Sequence, residues 1–244
     1  MTALAYTRFE LLRTFRSKRF FVLSLGFPLV IYLMIALPSR AVGDFAGTGI
    51  SAPLYYMVGL AAFGAMAAIL SSGTRIAGER AVGWNRQLRT TPLSSRAYLR
   101  TKVLTGYLMA LLTIGLLYLA GSVLGVRLSA ADWLHMTLLM LCALVPLAAL
   151  GILLGHVLTV DSIGPAVGGL TATLAFVSGT WFPLGTGVLN DIGQCLPSYW
   201  LIQASHVALG GQAWPAKGWL VVAVWSVVLG GLAARAYRRD TQRS

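Results

Sequence analysis

The chain is poor in charge and poorest in acid. Asp and Glu number 7 against 19 Lys and Arg, and charged residues of both signs make up 11% of 244 residues. A soluble domain of this size carries about 25%. The shortfall comes with a mean hydropathy of +0.75 and with apolar residues gathered into runs of roughly 20. Together they exclude a soluble globular fold and point to an all-α, polytopic membrane protein. Cysteine is scarce too. Cys142 lies inside an apolar run and leaves Cys195 alone, which excludes a disulfide framework. No Gly-Lys dipeptide occurs, hence no P-loop, and the chain cannot hydrolyse ATP by that route. The interiors of the apolar runs lack Asp, Glu, Lys and Arg, which argues against an ion-coupled carrier. His135 and His156 fall at run ends and His206 in a loop, where packing or interfacial roles are expected of them. Paired carboxylates, metal-ligand spacings and nucleophile elbows are missing. The chain is therefore expected to be no enzyme, to carry no catalytic residue and to bind no metal.

What is there is a set of six apolar runs forming one domain over residues 1–244. They predict transmembrane helices at 20–37, 54–74, 103–126, 133–158, 163–182 and 216–234, with Pro28 and Pro146 as kinks. The first run is about as long as a membrane span and exceeds the 7–15 residues of a signal-peptide core, so no cleavable signal is expected. Before it, residues 2–19 place Leu4, Ala5, Leu12 and Phe15 at helical spacing, with arginines and a lysine mostly on other faces. That pattern predicts an amphipathic helix on the membrane surface. A net charge of +12 raises nucleic acid as a partner. The bases instead flank apolar spans, where they face anionic headgroups and fix topology, so no nucleic acid is expected. Of the 19 bases, 16 lie in the N-terminal segment, in the stretch 75–102 and in the C-terminal tail. Both termini and that stretch are accordingly expected on the cytoplasmic side.

Two segments stand out from this frame. Residues 75–102 hold seven bases and one acid between two long uncharged runs. Residues 77–88 predict a short helix loosened at Gly83 and stopped by Thr91-Pro92, with Ser94 or Ser95 capping the next helix. Residues 183–215 are long, nearly uncharged and rich in glycine and aromatics. They predict two short helices, 188–196 and 198–209, parted by Pro197 in a re-entrant hairpin covered by protein.

The chain resembles the membrane subunit of type-2 ATP-binding-cassette exporters, the permeases of drug, polysaccharide and lipid efflux. One motif is Gly78-Glu79-Arg80 with Gly83 and Leu88-Arg89-Thr90-Thr91-Pro92-Leu93-Ser94, similar to the coupling helix and hinge of that family. The other is Ser178-Gly179-Thr180-Trp181-Phe182-Pro183, similar to the end of its fifth span, followed by the hairpin carrying Pro197. The family's proline before the re-entrant turn and arginine after it are missing here, where residues 187–190 and 206–210 lie. The resemblance implies a permease without enzymatic activity in a bacterial cytoplasmic membrane. It would work as a dimer with a second permease protomer, on two nucleotide-binding ATPase subunits that hold the ATP and Mg. Glu79, Arg80, Gly83, Trp84, Gln87, Leu88, Thr91 and Pro92 would couple to the ATPase. The path between protomers would draw on Tyr55, Tyr56, Met57, Phe63 and Met66 of the second span and Thr171, Thr173 and Phe176 of the fifth, a wall suited to apolar solutes such as a drug or lipid. Two alternatives stay open: a non-transporting sensor or immunity subunit of the same fold, and a substrate-binding membrane component of an importer.

Overall fold

The computed structural model describes residues 3–16, 25–41, 43, 45–83, 94–209 and 214–243, and among them the chain is helical with no strand. Nine α-helices follow in order: α1 (Ala3–Arg16), α2 (Phe27–Ala36), α3 (Ala52–Ala81), α4 (Ser95–Val123), α5 (Ala130–Val157), α6 (Val160–Val177), α7 (Val188–Gln194), α8 (Pro197–Gln203) and α9 (Ala216–Arg243). A 3₁₀ turn, Ala204–Leu209, follows α8. Five of these, α3, α4, α5, α6 and α9, are long and apolar enough to cross a membrane. α2 is apolar but only ten residues long, and the expected start of its span at residue 20 lies outside the described residues.

Local chemistry explains the helix starts. Ser94 accepts a hydrogen bond from the Ala97 amide at the head of α4, and Ser129 accepts one from the Asp132 amide at the head of α5. Each satisfies a donor that the first helical turn leaves open. Thr159 and Ser162 form a reciprocal capping box on α6.

α3 is the axis of the bundle. It packs against α2, α4, α5, α6 and α8, and 78% of its apolar window is buried within the chain, against 28% for α6 and 17% for α9. Glycine permits the tightest crossing. A Cβ on Gly73 would run into the Gly151 carbonyl, and one on Gly155 would sit 2.6 Å from the Gly73 carbonyl oxygen. Backbone thus meets backbone where α3 crosses α5, the close approach that small residues allow between membrane helices.

Several boundaries differ from expectation. Residues 77–81 do not open a separate short helix but complete α3, which runs unbroken to Ala81. Gly83, at φ +69°, ends α3 rather than loosening a new helix, and its amide bonds back to the Arg80 carbonyl. α4 begins eight residues before the expected 103, and α9 runs on to Arg243. α6 stops at Val177 instead of 182, because Ser178 and Gly179 turn the chain with Gly179 at φ +81°. α1 forms as expected, but its inward stripe is Tyr6, Glu10 and Thr14, while Leu12 and Phe9 are exposed. Leu12 of the expected apolar face thus stays off the protein, as a helix lying on a membrane surface requires, and the stripe that packs inward is the polar one.

Candidate functional site

The C-terminal turn of α3 carries Glu79 and Arg80 side by side. Adjacent residues on a helix point about 100° apart, so the two side chains serve different neighbours. Glu79 turns toward α4 and α1. Its Oε1 lies 2.5 Å from Lys102 Nζ, and its Oε2 accepts the Tyr98 hydroxyl at 2.6 Å. Lys102 also reaches Glu10 Oε1 on α1 at 2.6 Å. One ammonium therefore joins two carboxylates, and all three groups are at most 5% exposed. Arg75, one turn earlier on α3, pairs with Glu10 at 3.5 Å and donates to the Thr14 hydroxyl, while Arg13 approaches Glu79 from the rim at 3.5 Å. The Thr7 and Thr101 hydroxyls, 2.9 Å apart, add a further link between α1 and α4.

Aromatic rings wall this cluster off. The Lys102 ammonium lies 5.3 Å from the Tyr98 ring centroid and 6.0 Å from that of Tyr6, within reach of cation–π attraction. Burial first, and then the charges of Glu79 and Glu10, push the Tyr6 phenol well above its ordinary pKa, so it stays neutral. Charges packed so deeply persist because each has a partner.

Arg80 turns the other way, toward α5 and α9. Its guanidinium donates to the carbonyls of Gly155 and Leu158 at 3.0 and 3.3 Å, groups that the C-terminal end of α5 leaves unpaired. A cation at a helix C-terminus also opposes the helix dipole favourably. The Arg80 Nε is 2.8 Å from Asp240 Oδ2 of α9, and His156 Nδ1 reaches the same oxygen at 2.9 Å. Two consecutive residues of α3 thus fasten four other helices, α1, α4, α5 and α9, at one end of the bundle. The chain then enters residues 84–93.

Of the residues expected to couple to an ATPase, Trp84, Gln87, Leu88, Thr91 and Pro92 lie outside the described residues. Glu79 faces inward, Arg80 lies partly exposed between α5 and α9, and Gly83 is the turn after α3. Expected interiors free of charge hold for the apolar centres of the helices. The buried charges lie just beyond those runs, on the longer helix ends that carry Arg75, Glu79 and Lys102 and on α1 at Glu10. Glu10, Lys102, Tyr98 and Asp240 carry no motif of their own in the sequence, whereas His156, expected to pack at a run end, is buried against Asp240. The scarcity of acid is the available signal: with 7 acids against 19 bases, an acid beside a helix end is in demand as a partner.

At the opposite end of α6 the second motif builds a compact joint. Ser178 donates to Ser198 at 2.6 Å, and the Tyr55 hydroxyl of α3 donates to the Gly179 carbonyl. Trp200 Nε1 donates to the Gln194 carbonyl at 3.2 Å, and Trp214 Nε1 to the Trp200 carbonyl at 2.9 Å. Side chains from α3 and from the segment itself thereby satisfy the irregular backbone around α7 and α8. α8 is buried through Pro197, Ser198, Trp200, Leu201 and Ile202. Pro197 stands in the first turn of α8, where its missing amide costs nothing, rather than between two helices. Pro183 is half-buried beyond Phe182, whose ring meets that of Phe176 edge-on at 5.3 Å.

The expected path residues fall into three groups. Tyr55, Met57, Met66 and Thr171 are buried inside the single chain, where Thr171 bonds its own helix at the Val167 carbonyl. Tyr56 and Phe63 are half-buried, and the Phe63 ring meets that of Trp181 at a tilt, 5.8 Å between centroids. Thr173 and Phe176 face outward from α6.

Comparison with known proteins agrees with this architecture. Residues 50–235, which span α3 to α9, match the model of the family described as ABC-2 family transporter protein. A protein of Bacillus subtilis (strain 168) named "Putative transport permease YvfS" is 28% identical over 194 residues, covering 78% of each chain. With a helical bundle of membrane-capable length and a family match over most of its residues, the chain belongs to the ABC-2 family of transporter membrane proteins.

Proposed function

We propose that the chain is the permease subunit of an ATP-binding-cassette exporter. Two protomers enclose the route, and two separate ATPase subunits holding ATP and Mg drive it from below residues 82–94. The observation that carries this reading is the fastening of α3 to α1, α4, α5 and α9 through Glu79 and Arg80, directly before that basic segment. A push on the segment is handed to five helices at once, which suits a lever acting on a stiff body. The basic N-terminal helix, the ends of α3 and α4 and the C-terminal part of α9 meet at this same end, in agreement with a cytoplasmic placement argued from charge. α1 then turns Phe9 and Leu12 toward the membrane surface. Residues 20–37 supply a sixth span, and α7 and α8 form the re-entrant hairpin on the far side.

The outward face of α6 supports a dimer. It presents Ser162, Gly164, Gly168, Gly169, Ala172 and Thr173, small residues of the sort that let membrane helices approach. α9 instead presents Trp219, Leu220, Val224, Val227 and Val228, which suit lipid. The cargo is a hydrophobic small molecule, such as a drug, or a lipid, since the outward residues Phe176 and Phe182 and the half-buried Phe63 are aromatic.

The reading is tested on tagged full-length chain purified from membranes of its source cell. It should bring down one kind of P-loop ATPase, and Leu88→Asp should lose that partner while still inserting. A cysteine replacing Trp84 should react with an impermeant maleimide only in inside-out vesicles. Reaction from the outside of intact cells, or capture of the ATPase unaffected by Leu88→Asp, would overturn the assignment.

A further inference from the structure

Arg80 and Asp240 border a cavity of about 450 Å³ between the C-terminal ends of α5 and α9, which nothing in the proposed coupling role uses. Its walls differ in chemistry. Arg235 and Arg239 stand one turn apart on the exposed side of α9, and neither is in an ion pair among the described residues. Asp240 is already matched, since its Oδ2 lies 2.8 Å from Arg80 Nε and 2.9 Å from His156 Nδ1. The cavity therefore keeps an excess of two positive charges. Leu153, Val157, Leu232 and Ala236 give it an apolar wall, and Val157 and Leu232 are exposed along the outside of the bundle. His156 supplies an independent sign of a ligand: only 6% exposed, it borders the cavity with a buried Nε2 that has no hydrogen-bond partner. Asp240 can only accept, so Nδ1 is the donor to it, and the neutral ring offers Nε2 as an acceptor. A buried acceptor left unmatched is costly and marks a place where a donor is expected.

We propose that this cavity binds the headgroup of an anionic glycerophospholipid. Its phosphate lies against Arg235 and Arg239, a headgroup hydroxyl donates to His156 Nε2, and its acyl chains run along Val157 and Leu232. The chemistry favours a lipid over a free anion because the arginines and the apolar wall are continuous on the outer side of one helix. A soluble phosphate would satisfy only the first. Basic pockets between membrane helices on the cytoplasmic side take acidic headgroups in this way, each surface Lys or Arg contributing about 1 kcal/mol.

The test uses purified, delipidated full-length chain offered equal amounts of phosphatidylglycerol and phosphatidylcholine, with retained lipid counted by native mass spectrometry. The wild type should prefer phosphatidylglycerol, and Arg235→Gln with Arg239→Gln should reduce that preference about thirtyfold. Arg127→Gln, beside a different cavity with Tyr118 and Trp133, should leave it unchanged. Leu232→Trp keeps every charge and fills the mouth of the cavity, so it should lower retention even if the double variant does not fold. His156→Phe should weaken phosphatidylglycerol and leave phosphatidylcholine unaltered. An unchanged preference in the double variant together with unchanged retention in Leu232→Trp would overturn the proposal, as would equal loss in Arg127→Gln. Displacement of the lipid by millimolar inorganic phosphate would also overturn it, assigning the arginines to a free anion. None of these readouts depends on an ATPase, so the site stands or falls apart from the exporter reading.

Discussion

Lys102 is the residue on which the buried cluster turns. Among the described residues its ammonium alone lies within 2.6 Å of both Glu10 and Glu79, and it lies at 1% exposure, where water cannot take its place. Replacing it with Met keeps the length and apolar bulk of the stem but leaves two carboxylates facing each other with Arg75, Arg13 and Tyr98 as remaining partners. Removing one member of a buried ion pair typically costs about 3–5 kcal/mol. Lys102→Met should therefore lower the thermal midpoint of the purified chain sharply, and Glu10→Gln added to it should recover part of the loss by removing one carboxylate. An unchanged midpoint in Lys102→Met would show that the cluster is not what fastens α1. Tyr55 offers a milder check at the other end. Tyr55→Phe removes the hydrogen bond to the Gly179 carbonyl and should cost about 1 kcal/mol in the same melt. A loss as large as that of Lys102→Met would contradict the difference drawn here between a charge pair and a neutral bond.

At the scale of elements, the crossing of α3 over α5 is set by glycine and has no slack. Gly73→Ala puts a methyl group against the Gly151 backbone, which cannot rotate away as a side chain would. The helices must part, at a cost of about 1–3 kcal/mol. Gly231→Ala on α9 meets nothing within 4 Å and should be neutral or stabilising by up to about 1 kcal/mol, because alanine favours helix over glycine. Melting curves that fall equally for both variants would refute the crossing as described. Of the G-x-x-x-G pairs inside the apolar runs, Gly121/Gly125, Gly151/Gly155 and Gly164/Gly168, only Gly151/Gly155 makes this contact. Gly164 and Gly168 meet nothing within 4 Å inside the chain, and Gly125 is a turn residue at φ +99°. Spacing alone held no information about which pair was used, because the partner, Gly73, lies 78 residues before Gly151. The same limit explains the misplaced helix ends. Hydropathy ends the third span where charge begins, yet α4 continues back through Lys102, Tyr98 and Arg100, since Glu10 and Glu79 accept the lysine from 92 and 23 residues away. Hydropathy overshoots the fifth span for the converse reason: residues 178–182 look apolar, while Gly179 has already turned the chain. Where local chemistry decides, as at the cap of α4, the residues alone narrow the choice to Ser94 or Ser95, and Ser94 is the one that caps.

At the scale of the whole molecule, the distribution of exposed surface is what remains to be explained. The axis α3 is mostly covered, whereas α6 and α9 show most of their apolar length, and they show it differently. On α9 the outward residues are bulky, a surface that lipid chains cover as well as protein does. On α6 they are small, and small residues make poor contact with lipid but let a second backbone come close. The proposed protomer contact therefore lies on α6, where Phe176 is also exposed, while Met57 and Met66 of α3 are buried within the single chain. Gly168→Trp tests this directly, because Gly168 has open space around it within the chain and a large ring there leaves the protomer fold undisturbed. In lipid nanodiscs the wild type should be a dimer by mass photometry. Gly168→Trp should shift it to monomer without lowering its melting midpoint, and Val227→Trp on the exposed face of α9 should stay dimeric. A dimer that survives Gly168→Trp but breaks in Val227→Trp would move the interface, and with it the route between protomers, from α6 to α9.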